Sequence, residues 1–216
     1  MKKFLFVAIL FIGLAFANNA QGQKVAIKNN LLYDATGTIN LGIEFGLAPK
    51  WTLNIEGMYN PFTWKDGKRW KIAGVQPELR YWTCNRFAGH FFALQGTYVL
   101  DADFSNIKLF DGKKMWEHEW KTLKEGRAKG WSWGVGLGYG YSWVLSKHWN
   151  LEFELALGVM RNYYDRYIAK PTRFGEPEYE LYKREPDHKK FPATDSHVVE
   201  WYAGPTKAAI SLVYVF

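Results

Sequence analysis

The chain has 216 residues, 48% hydrophobic and 23% charged, which excludes a disordered polymer. A mean hydropathy of −0.29, with no run of the roughly 20 apolar residues that a spanning helix needs, excludes a polytopic helical membrane protein. One cysteine excludes an intrachain disulfide framework and a cysteine-cluster metal site, and the formal charge of +7, or +5 without Lys2 and Lys3, is too modest for a nucleic-acid partner.

The first element, residues 1–17, reads as a secretory signal peptide. Lys2 and Lys3 form the positive start, Phe4 to Leu14 the apolar core, and Ala15-Phe16-Ala17 the small-residue cleavage site. Cleavage is expected after Ala17, with Ala20 as the alternative, leaving 18–216 as one exported domain. No cysteine follows the cleavage site, so a lipoprotein anchor is not expected.

Beyond the leader the hydrophobic period is two. Eight strands are predicted, at 24–34, 38–47, 51–59, 70–83, 89–101, 131–144, 149–168 and 206–216. Ile39, Leu41, Ile43, Phe45 and Leu47 alternate with Asn40, Gly42, Glu44 and Gly46. The same holds from Trp51 to Tyr59 and from Ala73 to Trp82, where Pro77 predicts a bulge or a local break in the ladder. Trp131 to Trp143 is the clearest case, with large apolar residues at every odd position and only glycine or serine at every even one. GxGxGxG without a following helix does not suit a phosphate cradle. Glycine in a strand does suit a crowded inner wall. The strands at 24–34 and 89–101 carry apolar residues on both faces.

The connections at 48–50, 84–88 and 145–148 are short, whereas those at 60–69, 102–130 and 169–205 are longer. That alternation, with an even strand count, predicts an all-β, eight-stranded antiparallel up-and-down transmembrane barrel with three longer external loops in the outer membrane. Outer-membrane lipid should then contact the apolar face. Trp51, Trp143 and Phe216 suit the inner aromatic girdle, and Tyr59, Trp131 and Tyr163 the outer one. A soluble lipocalin-like carrier would need those large aromatic residues inside a narrow barrel, which lacks the volume.

The opposite face carries charge at Lys28, Glu44, Glu56, Glu78, Arg80, Glu152, Glu154 and Lys207. Unpaired charge in such an interior is costly, so these residues are expected to form a lumen network that plugs the barrel. The competing reading makes Glu56, Glu152 and Glu154 the lining of a cation path.

The search for chemistry predicts no catalytic, cofactor-binding or metal-binding residues. Asp195-Ser196-His197 and Glu117-His118-Glu119 hold suitable residue types, but adjacent side chains do not converge on one atom. An outer-membrane enzyme acting on lipid or peptide is therefore the second reading. The loop at 102–130 holds Lys108, Lys113, Lys114, Lys121, Lys124, Arg127 and Lys129. The loop at 169–205 holds Tyr179, Tyr182, Phe191, Trp201 and Tyr202. Cations among aromatic residues suit either anionic lipid headgroups or a surface protein or glycan partner.

The run Leu31-Leu32-Tyr33-Asp34-Ala35-Thr36, then Asn40 to Gly46, Tyr59-Asn60-Pro61-Phe62, Gln76 to Cys84 and Gly89-His90-Phe91-Phe92, resembles an uncharacterised family of small outer-membrane β-barrel proteins of Gram-negative bacteria. The resemblance covers nearly the whole mature chain and describes a scaffold rather than a reaction. Some members lie at fimbria loci, which implies a structural or adhesion role at the cell surface. The last segment, with Ile210, Leu212, Tyr214 and Phe216, resembles the aromatic signal read by the barrel-assembly machinery.

Overall fold

The computed structural model describes residues 25–63, 69–105, 114–115, 118–119, 126–170, 178–181 and 197–216. The predicted signal peptide and most of the predicted loop residues lie outside this set. In chain order the elements are β1 (Val25–Asn30), α1 (Leu31–Ala35), β2 (Ile39–Ala48), β3 (Trp51–Asn60), β4 (Arg69–Trp82), β5 (Gly89–Ser105), β6 (Lys114–Met115), β7 (His118–Glu119), β8 (Gly126–Val144), β9 (Trp149–Lys170), β10 (Glu178–Leu181) and β11 (His197–Val215). Eight antiparallel strands make one ring in the order β1, β2, β3, β4, β5, β8, β9, β11, with β11 returning to β1. The short β10 adds to β9, and β6 pairs with β7. The five-residue α1 is the sole helix among the described residues.

The period of two becomes an inside and an outside. On β8 the odd residues from Trp131 to Trp143 are exposed or half-buried, and the even residues are buried. Leu137 is 72% exposed, the extreme of this face. The even glycines are required by space. A Cβ on Gly140 would collide with the ring of Phe91, one on Gly136 would meet Thr206 Oγ1 at 2.8 Å, and one on Gly138 would meet Glu154 Oε1 at 3.0 Å.

Pro77 lies opposite Ile55 of β3, and the β4–β5 pairing is interrupted beside it without any change of register. The break is local, and Gly96 of β5 leaves room for the pyrrolidine ring, since a Cβ there would meet Pro77 Cγ at 3.3 Å. The register shift of β4 falls instead at Ala73/Gly74.

Two expectations are corrected. First, the strand predicted at 24–34 stops at Asn30. Its side chain accepts from the Leu32 amide and starts α1. The Asn40 side chain accepts from Asn30 N (2.6 Å) and donates to Asn30 O (3.0 Å), replacing a ladder rung. Second, β5, β8 and β11 run well beyond their predicted ends, and β9 by two residues, so Ser105, Arg127, Lys129, Trp201 and Tyr202 are strand residues and not loop residues. Pairing carries these segments: Gly126 lies opposite Ile168, and His197 opposite Asp165.

The wall is therefore low at β1–β3 and tall at β5–β11. Asn30 pairs with Ser211, and beyond that point β11 continues to His197 with no strand on its β1 side among the described residues. An exposed edge invites mispairing, and this one is covered by side chains. Asn30 Nδ2 donates to Ala208 O (3.4 Å) and Asn30 Oδ1 accepts from Ile210 N (3.3 Å). Pro205 has no N–H to leave unpaired, and its carbonyl accepts from the Tyr202 hydroxyl at 3.0 Å. A bulge at Pro205/Lys207 restores the alternation below it.

Candidate functional site: an ion-paired interior

The strands gather eight charged side chains into one group inside the ring: Lys28 (β1), Glu44 (β2), Glu56 (β3), Glu78 and Arg80 (β4), Glu152 and Glu154 (β9) and Lys207 (β11), while a ninth buried charge, Asp103 (β5), pairs separately with Arg127. All eight are buried. Seven of them sit at positions whose neighbours along the strand point outward, so parity aims them at one another; Lys207 instead follows the bulge at Pro205/Lys207, next to Thr206, whose hydroxyl donates to the buried Gln95.

Arg80 is the hub. Its Nε and Nη2 donate to Glu78 Oε2 (2.8 and 2.6 Å), Nη2 also to Glu154 Oε2 (2.6 Å), and Nη1 to Glu44 Oε2 (3.0 Å) and Glu152 Oε1 (2.8 Å). A planar guanidinium with five donors suits this role where an ammonium does not. Its face also lies 4.5 Å from the Phe91 ring centroid. Lys28 bridges Glu44 (2.5 Å) and Glu152 (2.9 Å). Lys207 contacts Glu56 (2.9 Å), Glu154 (3.3 Å) and Glu78. Every carboxylate in the group thus has a cationic partner.

Neutral groups complete the set. Trp82 is fully buried inside the ring, and its indole N–H donates to Thr52 Oγ1 (2.9 Å), which donates to Glu44 Oε1 (2.5 Å). Asn54 donates to Glu78 (3.2 Å). Above these, Tyr33 of α1 reaches back into the ring and donates to Gln76 Oε1 (3.1 Å), and Gln76 donates to Thr97 (3.3 Å). Burial, and after it the charge of Glu56, push the Tyr33 phenol up to about 12. Tyr33, Thr52 and Trp82 were missed from sequence. Strand parity placed Trp82 on the inner face, but nothing local marks it as a donor to Thr52.

Five carboxylates face three cations, and Glu56 Oε1 and Glu154 Oε1 are buried without a hydrogen-bond partner. The charge excess lies at the Lys207 end. The arrangement ties β1, β2, β3, β4, β9 and β11 together through side chains. Among the described residues no group of three His, Cys, Asp or Glu side chains could hold a metal ion.

The other candidates lie elsewhere. His197 contacts Asp165 through Nδ1 on the exposed upper wall, far along β11 from the interior group. Asp195, Ser196 and Glu117 lie outside the described residues. Leu212 and Phe216 are exposed, and Ile210 and Tyr214 half-buried, on the outer face of β11. There Tyr214 packs edge-on against Phe216 and Trp149, with ring centroids 4.9 and 5.0 Å apart.

Fold and interior together define an all-β protein built as a ring of eight antiparallel strands with an ion-paired inside and an apolar outside. By its sequence the chain belongs to the family described as protein of unknown function (DUF3575), whose model matches residues 6–216. Comparison with curated proteins and with solved structures gives no match.

Proposed function

We propose that the protein is a non-enzymatic outer-membrane β-barrel, exported by its leader, that carries surface segments on a plugged, rigid stem. The observation that supports this most is the distribution of charge. The outward positions are every second residue, counted from the first, of Ile39–Leu47, Trp51–Tyr59, Ala73–Tyr81, Phe92–Leu100, Trp131–Trp143 and Trp149–Val159, and of Val199–Pro205 and Ala208–Phe216 on β11. They include no Asp, Glu, Lys or Arg, while nine charged residues are buried, eight of them in one network. Water would reward the opposite arrangement, and lipid rewards this one. A soluble carrier with an apolar cavity has no counterpart to it.

On this reading the short turns at 49–50, 83–88 and 145–148 face the periplasm with both ends of the mature chain, and the long connections face outward. The aromatic end of β11 is what the assembly machinery reads, and a surface protein or glycan is met by the segments above the tall wall. An association with fimbriae would use those segments. The interior network supports a closed stem rather than a cation path, because Glu56, Glu152 and Glu154 are already engaged by Lys207, Lys28 and Arg80.

Fractionation tests the location. The protein should be recovered with outer membranes and shift its gel mobility on boiling, and recovery in the soluble periplasm would refute the proposal. Planar-bilayer recording tests the plug: no stable conductance is expected, and a large steady one would contradict a closed interior. A membrane-impermeant thiol reagent on intact cells should leave the exposed Cys84, in the 83–88 turn, unlabelled.

A further inference from the structure

We propose that the outer face of the tall wall carries a docking site for the phosphate headgroup of an anionic lipid, centred on Arg161; this rests on the membrane reading above. Arg161 lies on β9. From Trp149 to Val159 this strand uses the about 9–11 residues that a tilted strand needs to cross the hydrocarbon layer, and Arg161 is the next position on the same face. It is therefore the first cation met on leaving the charge-free band, at headgroup height.

Its surroundings are built from rings rather than carboxylates. The guanidinium carbon lies 5.0 Å from the Trp201 ring centroid and 5.9 Å from that of Tyr163. Tyr163 stacks on Trp131 at 4.2 Å with an interplanar angle of 4°. Trp133 meets Trp201 edge-on at 6.1 Å, and Tyr98 flanks Trp131 at 6.2 Å. Among the described residues, no carboxylate forms an ion pair with Arg161.

Stacking holds the plane of the guanidinium while leaving its N–H edge free for a tetrahedral anion, which it meets with two parallel hydrogen bonds. The indole and phenol rings, with one polar tip each, suit the glycerol and upper acyl region of the same lipid. A girdle that served only to float the barrel would run around it. This cluster of five rings is confined to β5, β8, β9 and β11, whereas among the described residues the top of the low wall offers Tyr59 and, just past β3, Phe62. The one-sidedness and the central cation point to a bound headgroup.

The test uses the full mature chain in nanodiscs of equal phosphatidylglycerol and phosphatidylcholine, with co-purifying lipid counted by native mass spectrometry. Wild type should retain phosphatidylglycerol in preference. Arg161→Gln should reduce that preference about fivefold, the value of one surface cation near anionic lipid. Arg161→Lys should keep part of it. Trp201→Ala should weaken it in wild type but not in Arg161→Gln. Each variant is first checked for the heat-dependent gel shift, so that loss of folding is seen separately. Equal retention of both lipids by a folded, inserted wild type, or a preference that Arg161→Gln leaves intact, would overturn the site while sparing the membrane reading. Displacement of the lipid by millimolar inorganic phosphate would also overturn it, since the site would then take the free anion. Failure of wild type to enter the bilayer would overturn both.

Discussion

Strand β8 shows two surfaces made by one backbone. Its outward residues are among the largest in the chain, and its inward residues are glycine and serine. The adjoining β9 inverts the volumes on its inner side, placing Glu154 against the space Gly138 leaves and Glu152 opposite Ser142. The outside is thus uniform, with large apolar residues and no charge along its central band. The inside is specific, tolerant of charge only where a partner is fixed, and intolerant of size.

That contrast can be broken from either side. The largest effect should come from Arg80→Met. Breaking one buried ion pair costs about 3–5 kcal/mol, and Arg80 is the shared partner of four buried carboxylates. The expected outcome is failure to fold, or a urea midpoint far below wild type. Next, Leu137→Arg on the outside should cost about 2–4 kcal/mol if the face meets lipid near the midplane, read as loss of insertion into vesicles. Little change would mean that water covers this face. Gly140→Val should cost about 1–3 kcal/mol by overpacking against Phe91, and a neutral result would show that the inner wall has slack.

The smallest effect concerns Tyr33, which reaches from α1 into the ring and donates to Gln76. The Tyr33 phenol is raised from its ordinary value of 10.0 to about 12. A group raised on folding contributes stability that is complete below pH 10 and lost as pH climbs through 12. Unfolding midpoints should fall over that window, and Tyr33→Phe should flatten the fall. A fall that persists in the variant belongs to other groups.

The two surfaces differ in how much of them could be read from sequence. The alternation is local, so parity sorted outward from inward residues from Ile39 to Leu47 and from Trp131 to Trp143 without reference to any partner. The same parity gathered Lys28, Glu44, Glu56, Glu78, Arg80, Glu152, Glu154 and Lys207. It could not say that Arg80 joins four of the five carboxylates, because that depends on register between strands up to 74 residues apart. The early end of β1 was hidden for a similar reason. Residues 24–34 read as extended, and the stop is set by the Asn40 side chain, which bonds the backbone N–H and C=O of Asn30 from the neighbouring strand. The tall wall was hidden because Gly126 to Gly130 has no alternation of its own, and β9 supplies its order by pairing.

The most direct measurement places nitroxide labels on single cysteines at Leu41, Leu137 and Leu155 in a Cys84→Ser background, reconstituted in lipid vesicles. Collision rates with oxygen, which concentrates in lipid, are compared with those of a water-soluble nickel chelate. A lipid-embedded ring with a plugged interior predicts high oxygen and low nickel access at all three positions, with nickel access rising at a label on Lys129 above the band. High nickel access at Leu41, Leu137 and Leu155 would place the apolar face in water and contradict the account.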